Sequence, residues 1–190
     1  FDEDVFMIDR VTTNAVALID RNGKEIRVQD SLDLRIYRDG KEIRLSELNN
    51  YDIVYAIYNK DAIQKIFVLN GLKDYDKAFK PLDKDGKTYK VYAPTKSVRR
   101  SSIYVAGKEV NLLNNTLLYN LVQAGKDYRV ETITLDEVKN AGFDKTVTAY
   151  VFTVKDLKDK DVTKYDSFHG SDDAPVAIVF KNVEKKKVVD

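Results

Sequence analysis

Cysteine and tryptophan are absent from this sequence, histidine occurs once, and proline three times. Without cysteine there are no disulfides, no thiolate metal sites and no cysteine nucleophile. A lone histidine, His169, leaves a Ser-His-acid triad resting on one residue, and no Gly-x-Ser-x-Gly elbow accompanies it. Without tryptophan, a sugar-stacking platform has to come from tyrosine. The 8 glycines are scattered singly, so no Gly-rich phosphate cradle is present. Charge of one sign is missing too: 32 Lys and Arg against 31 Asp and Glu leave a net +1. A chain this balanced has no basic field to draw in nucleic acid. No apolar run is long enough to span a bilayer, and no secretory signal pattern is visible. Because the chain opens on Phe1 rather than Met, it reads as a fragment or mature piece, with any signal or anchor lying outside it.

What is present points to strands. The chain is 43% hydrophobic, with 12 Tyr and 8 Phe, and its dominant period is two. Leu32, Leu34 and Ile36 alternate with Asp33, Arg35 and Tyr37. Ile53, Tyr55 and Ile57 alternate with Val54, Ala56 and Tyr58, and Val147, Ala149 and Val151 with Thr148, Tyr150 and Phe152. Alternation sends successive side chains to opposite faces, and the last two runs are apolar on both. Val176–Phe180 reads as a final strand. Asn22-Gly23, Asp39-Gly40 and Asp85-Gly86, each followed by Lys, supply the positive φ of tight hairpins, with Ala106-Gly107-Lys108 as a weaker version.

Helical signals are fewer. Leu117, Leu118, Leu121 and Val122 recur at helical spacing before Gly125. Thr134-Leu135-Asp136-Glu137 has the form of a capping box, with Gly142 placed to end that helix. Ser46-Glu47-Leu48 reads as a single helical turn. The expected fold is therefore mainly β, or β-rich α+β: a small antiparallel barrel or sandwich over residues 1–72, then a second β-rich domain over 73–190 with one or two short helices. The polar stretch Lys155–Ser171 reads as a long loop or linker, and Lys185–Lys187 as a solubilising tail. Asp39-Gly40-Lys41-Glu42-Ile43-Arg44-Leu45 is echoed by Ala106-Gly107-Lys108-Glu109-Val110-Asn111-Leu112, as a hairpin reused in two related domains would give.

Three features of the first seventy residues form a pattern: the turn Asn22-Gly23-Lys24-Glu25-Ile26, the strand and turn of Leu34 to Ile43, and Leu45-Ser46-Glu47-Leu48 ahead of a strand pair ending in Ile63-Gln64-Lys65-Ile66-Phe67-Val68. This third of the chain resembles a small β-domain of Firmicute cell-surface proteins, of the S-layer and S-layer-homology (SLH) kind. The family usually has Gly-Asp before the penultimate strand, where this chain has Asn50-Tyr51-Asp52. The later residues share only Gly107-Lys108-Glu109 with it. The resemblance implies an extracellular, Gram-positive cell-surface or cell-wall location and a spacer or assembly unit, repeated as domains, with no catalytic residues to carry over.

Individual constellations support a non-enzymatic reading. His169 lies in Ser167-Phe168-His169-Gly170-Ser171-Asp172-Asp173. A metal set with Asp172 and Asp173 is the sharp reading, and an exposed loop histidine the plain one. Asp83-Lys84-Asp85-Gly86 resembles the start of a calcium loop, but the glycine follows the second Asp directly and position 92 is Tyr rather than Glu. Asp156, Asp159 and Asp161 alternate with lysines, as a solvated linker does. Arg99 and Arg100 near Lys96, with Tyr92 and Tyr104, outline a thin basic-aromatic patch for an anionic polymer. No catalytic, cofactor-binding or metal residue is assigned and no cofactor is expected. The expected partners are other copies or neighbouring domains of the same surface protein, or a cell-wall polymer, with neither nucleic acid nor a membrane segment. Two alternatives stand beside the structural module: a wall-polysaccharide or carbohydrate-binding module using Tyr51, Tyr55 and Tyr58, and an accessory domain of a secreted hydrolase.

Overall fold

The computed structural model describes residues 2–60, 62–71, 102–105, 108–140, 148–159 and 171–184. By contacts the chain divides into two units, Phe1–Asp74 with Val154–Asp172, and Tyr75–Thr153 with Asp173–Asp190. The fold is mainly β, with two short α-helices among the described residues, as the alternating pattern leads one to expect. None of the described helices is long and apolar enough to cross a membrane.

The first unit carries β1 (Asp2–Val11), β2 (Ala15–Ile19), β3 (Glu25–Gln29), β4 (Arg35–Arg38), β5 (Lys41–Ile43), a 3-10 turn at Leu45–Glu47, β6 (Ile53–Asn59) and β7 (Ala62–Asn70). They form one seven-stranded sheet, order β3-β2-β1-β6-β7-β4-β5, curled into an open half-barrel. Every neighbour pair is antiparallel except β4 with β7. The hairpin turns sit where the sequence places them. Gly23 has φ +80°, and Asp39 and Gly40 have φ +52° and +79°, the double left-handed pair of a type I′ turn.

One face gathers Phe6, Ile8, Val16, Leu18, Val54, Ala56, Ile66 and Val68 into the core, closed by Leu45 and Leu48 of the 3-10 turn. That placement explains the Leu45-Ser46-Glu47-Leu48 signal: the two leucines are buried and the polar pair between them is exposed. The opposite face is buried as well, with Val5, Met7, Ile53 and Tyr55 all at 0% exposure. Two-sided burial is why Val5–Ile8 of β1 and Ile53–Tyr58 of β6 are continuous apolar runs. The alternation read from Leu32 starts too early. Leu32 is 94% exposed and precedes β4, whose buried anchor is Ile36.

The second unit contains a separate hairpin, β8 (Ser102–Val105) with β9 (Lys108–Asn111). Its main sheet joins β10 (Leu117–Ala124), β11 (Asp127–Thr132), β12 (Thr148–Thr153) and β13 (Pro175–Lys181) in the order β11-β10-β13-β12. Leu117–Val122, expected to be helical, is strand β10. It lies between β11 and β13, with Leu117, Tyr119 and Leu121 buried on one face and Leu118 packed into the core on the other. A strand buried on both faces is apolar throughout, and such a run satisfies a 3.6-residue period as well as a 2-residue one. Gly125, φ +65°, opens the β10–β11 turn rather than capping a helix.

Helix α1 (Leu135–Asn140) follows the capping box. The Thr134 Oγ1 accepts from the Glu137 N–H at 3.1 Å, and the Glu137 carboxylate accepts from the Thr134 N–H at 3.0 Å. The stretch read as a linker from Lys155 begins instead with helix α2 (Val154–Asp159), whose Val154 and Leu157 are buried among its exposed lysines. Gly142, the Ala106-Gly107 and Asp85-Gly86 turns and the Lys185–Lys187 run lie outside the described residues.

Candidate functional site

Two clefts in the first unit gather most of its partly buried charge. The first, of about 920 Å³, opens where β1 bends. Between Ile8 and Arg10 the β1–β2 register slips, leaving Asp9 as a bulge. On either side of the bulge, β1 bonds to the loop ahead of β6. The Tyr51 N–H donates to the Ile8 carbonyl at 2.8 Å, the Ile8 N–H to the Asp52 carbonyl at 2.9 Å, and the Val11 N–H to the Asn50 side-chain oxygen at 2.9 Å. Tyr51 holds a left-handed φ of +72° to make this corner.

Asp52 stands at its centre, 3% exposed. Its Oδ2 accepts from the Asn49 N–H at 3.0 Å and from Arg38 Nη2 at 3.3 Å, and the same Nη2 also donates to the Glu47 carbonyl at 3.0 Å. Its Oδ1 faces Gly71, where a Cβ would collide with it. The guanidinium and carboxylate thus tie β4, the 3-10 turn and the β6 entrance into one knot. Both charges are spent on each other and on backbone groups, which is the chemistry of a structural tie rather than of a proton-transfer centre.

The second cleft, of about 480 Å³, lies at the β2–β3 and β6–β7 turns. Arg21 clamps Asp4 in two-pronged fashion, Nε to Oδ2 at 3.0 Å and Nη2 to Oδ1 at 2.6 Å, while Oδ1 also accepts the Val5 N–H at 2.8 Å. Asp20 caps the adjoining turn, accepting from the N–H groups of Asn22 and Lys24. Lys24, Glu25 and Lys60 complete a rim of three carboxylates and three cations, over Phe6, Ile26, Ile63 and Tyr58. Phe6 and Tyr58 meet edge to face, ring centres 6.2 Å apart. Desolvation, then the nearby Asp4 and Asp2 charges, push the Tyr58 hydroxyl above the ordinary phenol range. That keeps it a neutral hydrogen-bonding group.

The tyrosines named from sequence do not make an exposed platform. Tyr51 and Tyr55 are 5% and 0% exposed; Tyr51 lines the larger cleft and Tyr58 the smaller, so they do not share a surface. Asp156 and Asp159 fall on α2, and Asp172 pairs instead with Lys158 at 2.6 Å. That hydrogen bond and charge hold the Asp172 carboxyl below the ordinary carboxylate range. Among the described residues, no group of three or more His, Asp or Glu could hold a metal ion. His169, Asp83, Asp85, Asp161, Lys96, Arg99, Arg100 and Tyr92 lie outside the described residues. Arg38, Asp52, Arg21 and Asp4 escape a reading of sequence because their partners are 14 and 17 positions away, with no local motif to link them.

No protein-family model matches the chain, and neither a curated protein nor a solved structure is found to be similar to it.

Proposed function

We propose that this chain is a non-catalytic spacer or assembly module of a bacterial cell-surface protein of the S-layer type. The observation that carries the reading is the use made of partly buried charge. Arg38 with Asp52, and Arg21 with Asp4, each join sheet to loop and leave neither carboxylate poised as a base. The two-sided burial of the central strands supports it, because a spacer acts by folding firmly. The turn pattern Asn22-Gly23-Lys24 and Asp39-Gly40-Lys41, realised here as hairpins, is the part of the family likeness that bears on this choice.

The test is to label intact and permeabilised cells of the source organism with antibody raised against the chain. Labelling of intact cells is the expected result, together with an export signal and an envelope anchor such as SLH repeats in the parent gene. Labelling confined to permeabilised cells overturns the proposal.

One observation favours a second reading, binding of a neutral wall polysaccharide. The smaller cleft sets Tyr58 beside a fixed Arg–Asp pair within a charge-balanced rim, and an aromatic face flanked by planar polar groups suits a sugar ring. Under this reading Tyr58→Ala abolishes retention of the chain by purified cell wall. Equal retention of wild type and variant removes it.

A further inference from the structure

The strand at one end of the described half-barrel, β3, has the makings of a self-pairing edge. In an antiparallel ladder, residue pairs alternate between exchanging both backbone hydrogen bonds and exchanging none. The β2–β3 ladder is bracketed by the Asp20 N–H donating to the Lys24 carbonyl at 2.9 Å and the Asp30 N–H donating to the Asn14 carbonyl at 2.8 Å. With Leu18 opposite Ile26 and Val16 opposite Val28, the even-numbered residues of β3 bond to β2. The N–H and C=O groups of Glu25, Arg27 and Gln29 therefore point the other way, to the side where the described sheet ends. The strand at the opposite end, β5, has only three residues.

Charge gives this edge a direction. Glu25 and Arg27 are exposed, lie on one face two positions apart, and form no ion pair among the described residues. Charged side chains, lysine above all, usually guard an edge against pairing with an unrelated strand. Opposite charges two positions apart complement a reversed copy of the same strand. The geometry points to β3 as the docking edge for a second copy of this chain, running antiparallel about a two-fold axis at Ile26, with Glu25 of each copy opposite Arg27 of the other. In this register Glu25 and Arg27 exchange backbone hydrogen bonds across the axis, and the two Ile26 side chains meet on the face that holds the core cluster. Moving the axis to Arg27 sets arginine against arginine. Moving it to Val28 sets Arg27 against Gln29 and loses both ion pairs.

A five-residue edge covers far less than the roughly 1,200 Å² of a stable complex, so the pairing is weak in solution. It becomes effective where copies are held close together on a surface. The inference thus rests on the assembly reading above and names the contact that reading lacks.

The experiment is sedimentation velocity with amide NMR on the full 190-residue chain, from about 10 μM to about 1 mM. The expected result is a concentration-dependent dimer, with shifts and slowed exchange at the amides of Glu25, Arg27 and Gln29. Glu25→Arg and Arg27→Glu each weaken it about tenfold or more, and the two together restore it to within about threefold of wild type. The amide spectra also report that each variant is folded. A chain that stays monomeric, a dimer indifferent to both single reversals, or a double variant as weak as the singles overturns the inference. Surface labelling without the dimer rejects the β3 contact alone. A dimer without surface labelling rejects the envelope role and keeps the contact.

Discussion

At Asp52 a carboxylate almost wholly out of water accepts from a guanidinium and a backbone N–H. Removing it leaves the Asn49 N–H without this acceptor and takes from Arg38 its counter-charge, though not its bond to the Glu47 carbonyl. Asp52→Ala is expected to cost about 2–4 kcal/mol, toward the lower end of a broken buried pair because Arg38 keeps access to solvent. Asp52→Asn retains an acceptor for the Asn49 N–H and is expected to cost less. Gly71→Ala attacks the same knot from outside, since the new Cβ would press on a carboxylate that cannot retreat, and about 1–3 kcal/mol is expected. Urea denaturation followed by far-UV circular dichroism ranks all three. Asp9, at the bulge, has the opposite sign. Desolvation, then the Glu25 charge, raise its carboxyl above the ordinary value, against a smaller opposing pull from Arg10. The folded state therefore favours the protonated form, and that advantage is lost as pH rises through the raised value. Asp9→Asn is expected to be slightly more stable than wild type at pH 7 and equal to it near pH 3, where Asp9 is protonated in both states. A variant less stable than wild type at pH 7 contradicts this account.

The capping box is the element whose sequence signal and geometry agree most closely. Both reciprocal bonds form between Thr134 and Glu137. Thr134→Ala is expected to cost about 1 kcal/mol. Because α1 has only six residues, the loss is expected as faster amide exchange over Leu135–Asn140, with little change in distant strands. The hairpins at Gly23 and Asp39-Gly40 were equally legible, since these residues carry their backbone preference within two positions, whereas the Gly125 turn was hidden by the helical reading of β10. The β8–β9 hairpin stands at the echo of β4–β5 in the same way. What local reading missed was long-range. The parallel pairings of β4 with β7 and β10 with β13 join segments far apart in sequence, and β10 passed for a helix because burial on both faces erases the two-residue period. Arg38 and Asp52 were illegible for the same reason: an ion pair between distant strand and loop leaves no spacing to recognise.

The first unit is assembled from two stretches of chain, Phe1–Asp74 and Val154–Asp172. Local patterns place its strands but give no hint that a segment some eighty positions downstream belongs with them. Val154 and Leu157, on helix α2 at the start of that segment, are 2% and 0% exposed, so the helix contributes apolar surface to burial. The central strands of the half-barrel are covered on both sides: Phe6, Ile8 and Leu18 are buried on one face, and Val5, Met7 and Tyr55 on the other. A fragment of residues 1–74 keeps every strand of the seven-stranded sheet and loses the returning segment. If the sheet's own ladder and core sufficed, the fragment would unfold at the same urea concentration as the first unit does in the whole chain. Small domains have little stability to spare, and apolar surface that loses a packing partner is a dye-binding and association site. The fragment is therefore expected to unfold at lower urea than the whole chain and to bind an apolar fluorescent dye that the whole chain excludes. An equal urea midpoint with no dye binding would show that the strands stand without their returning segment.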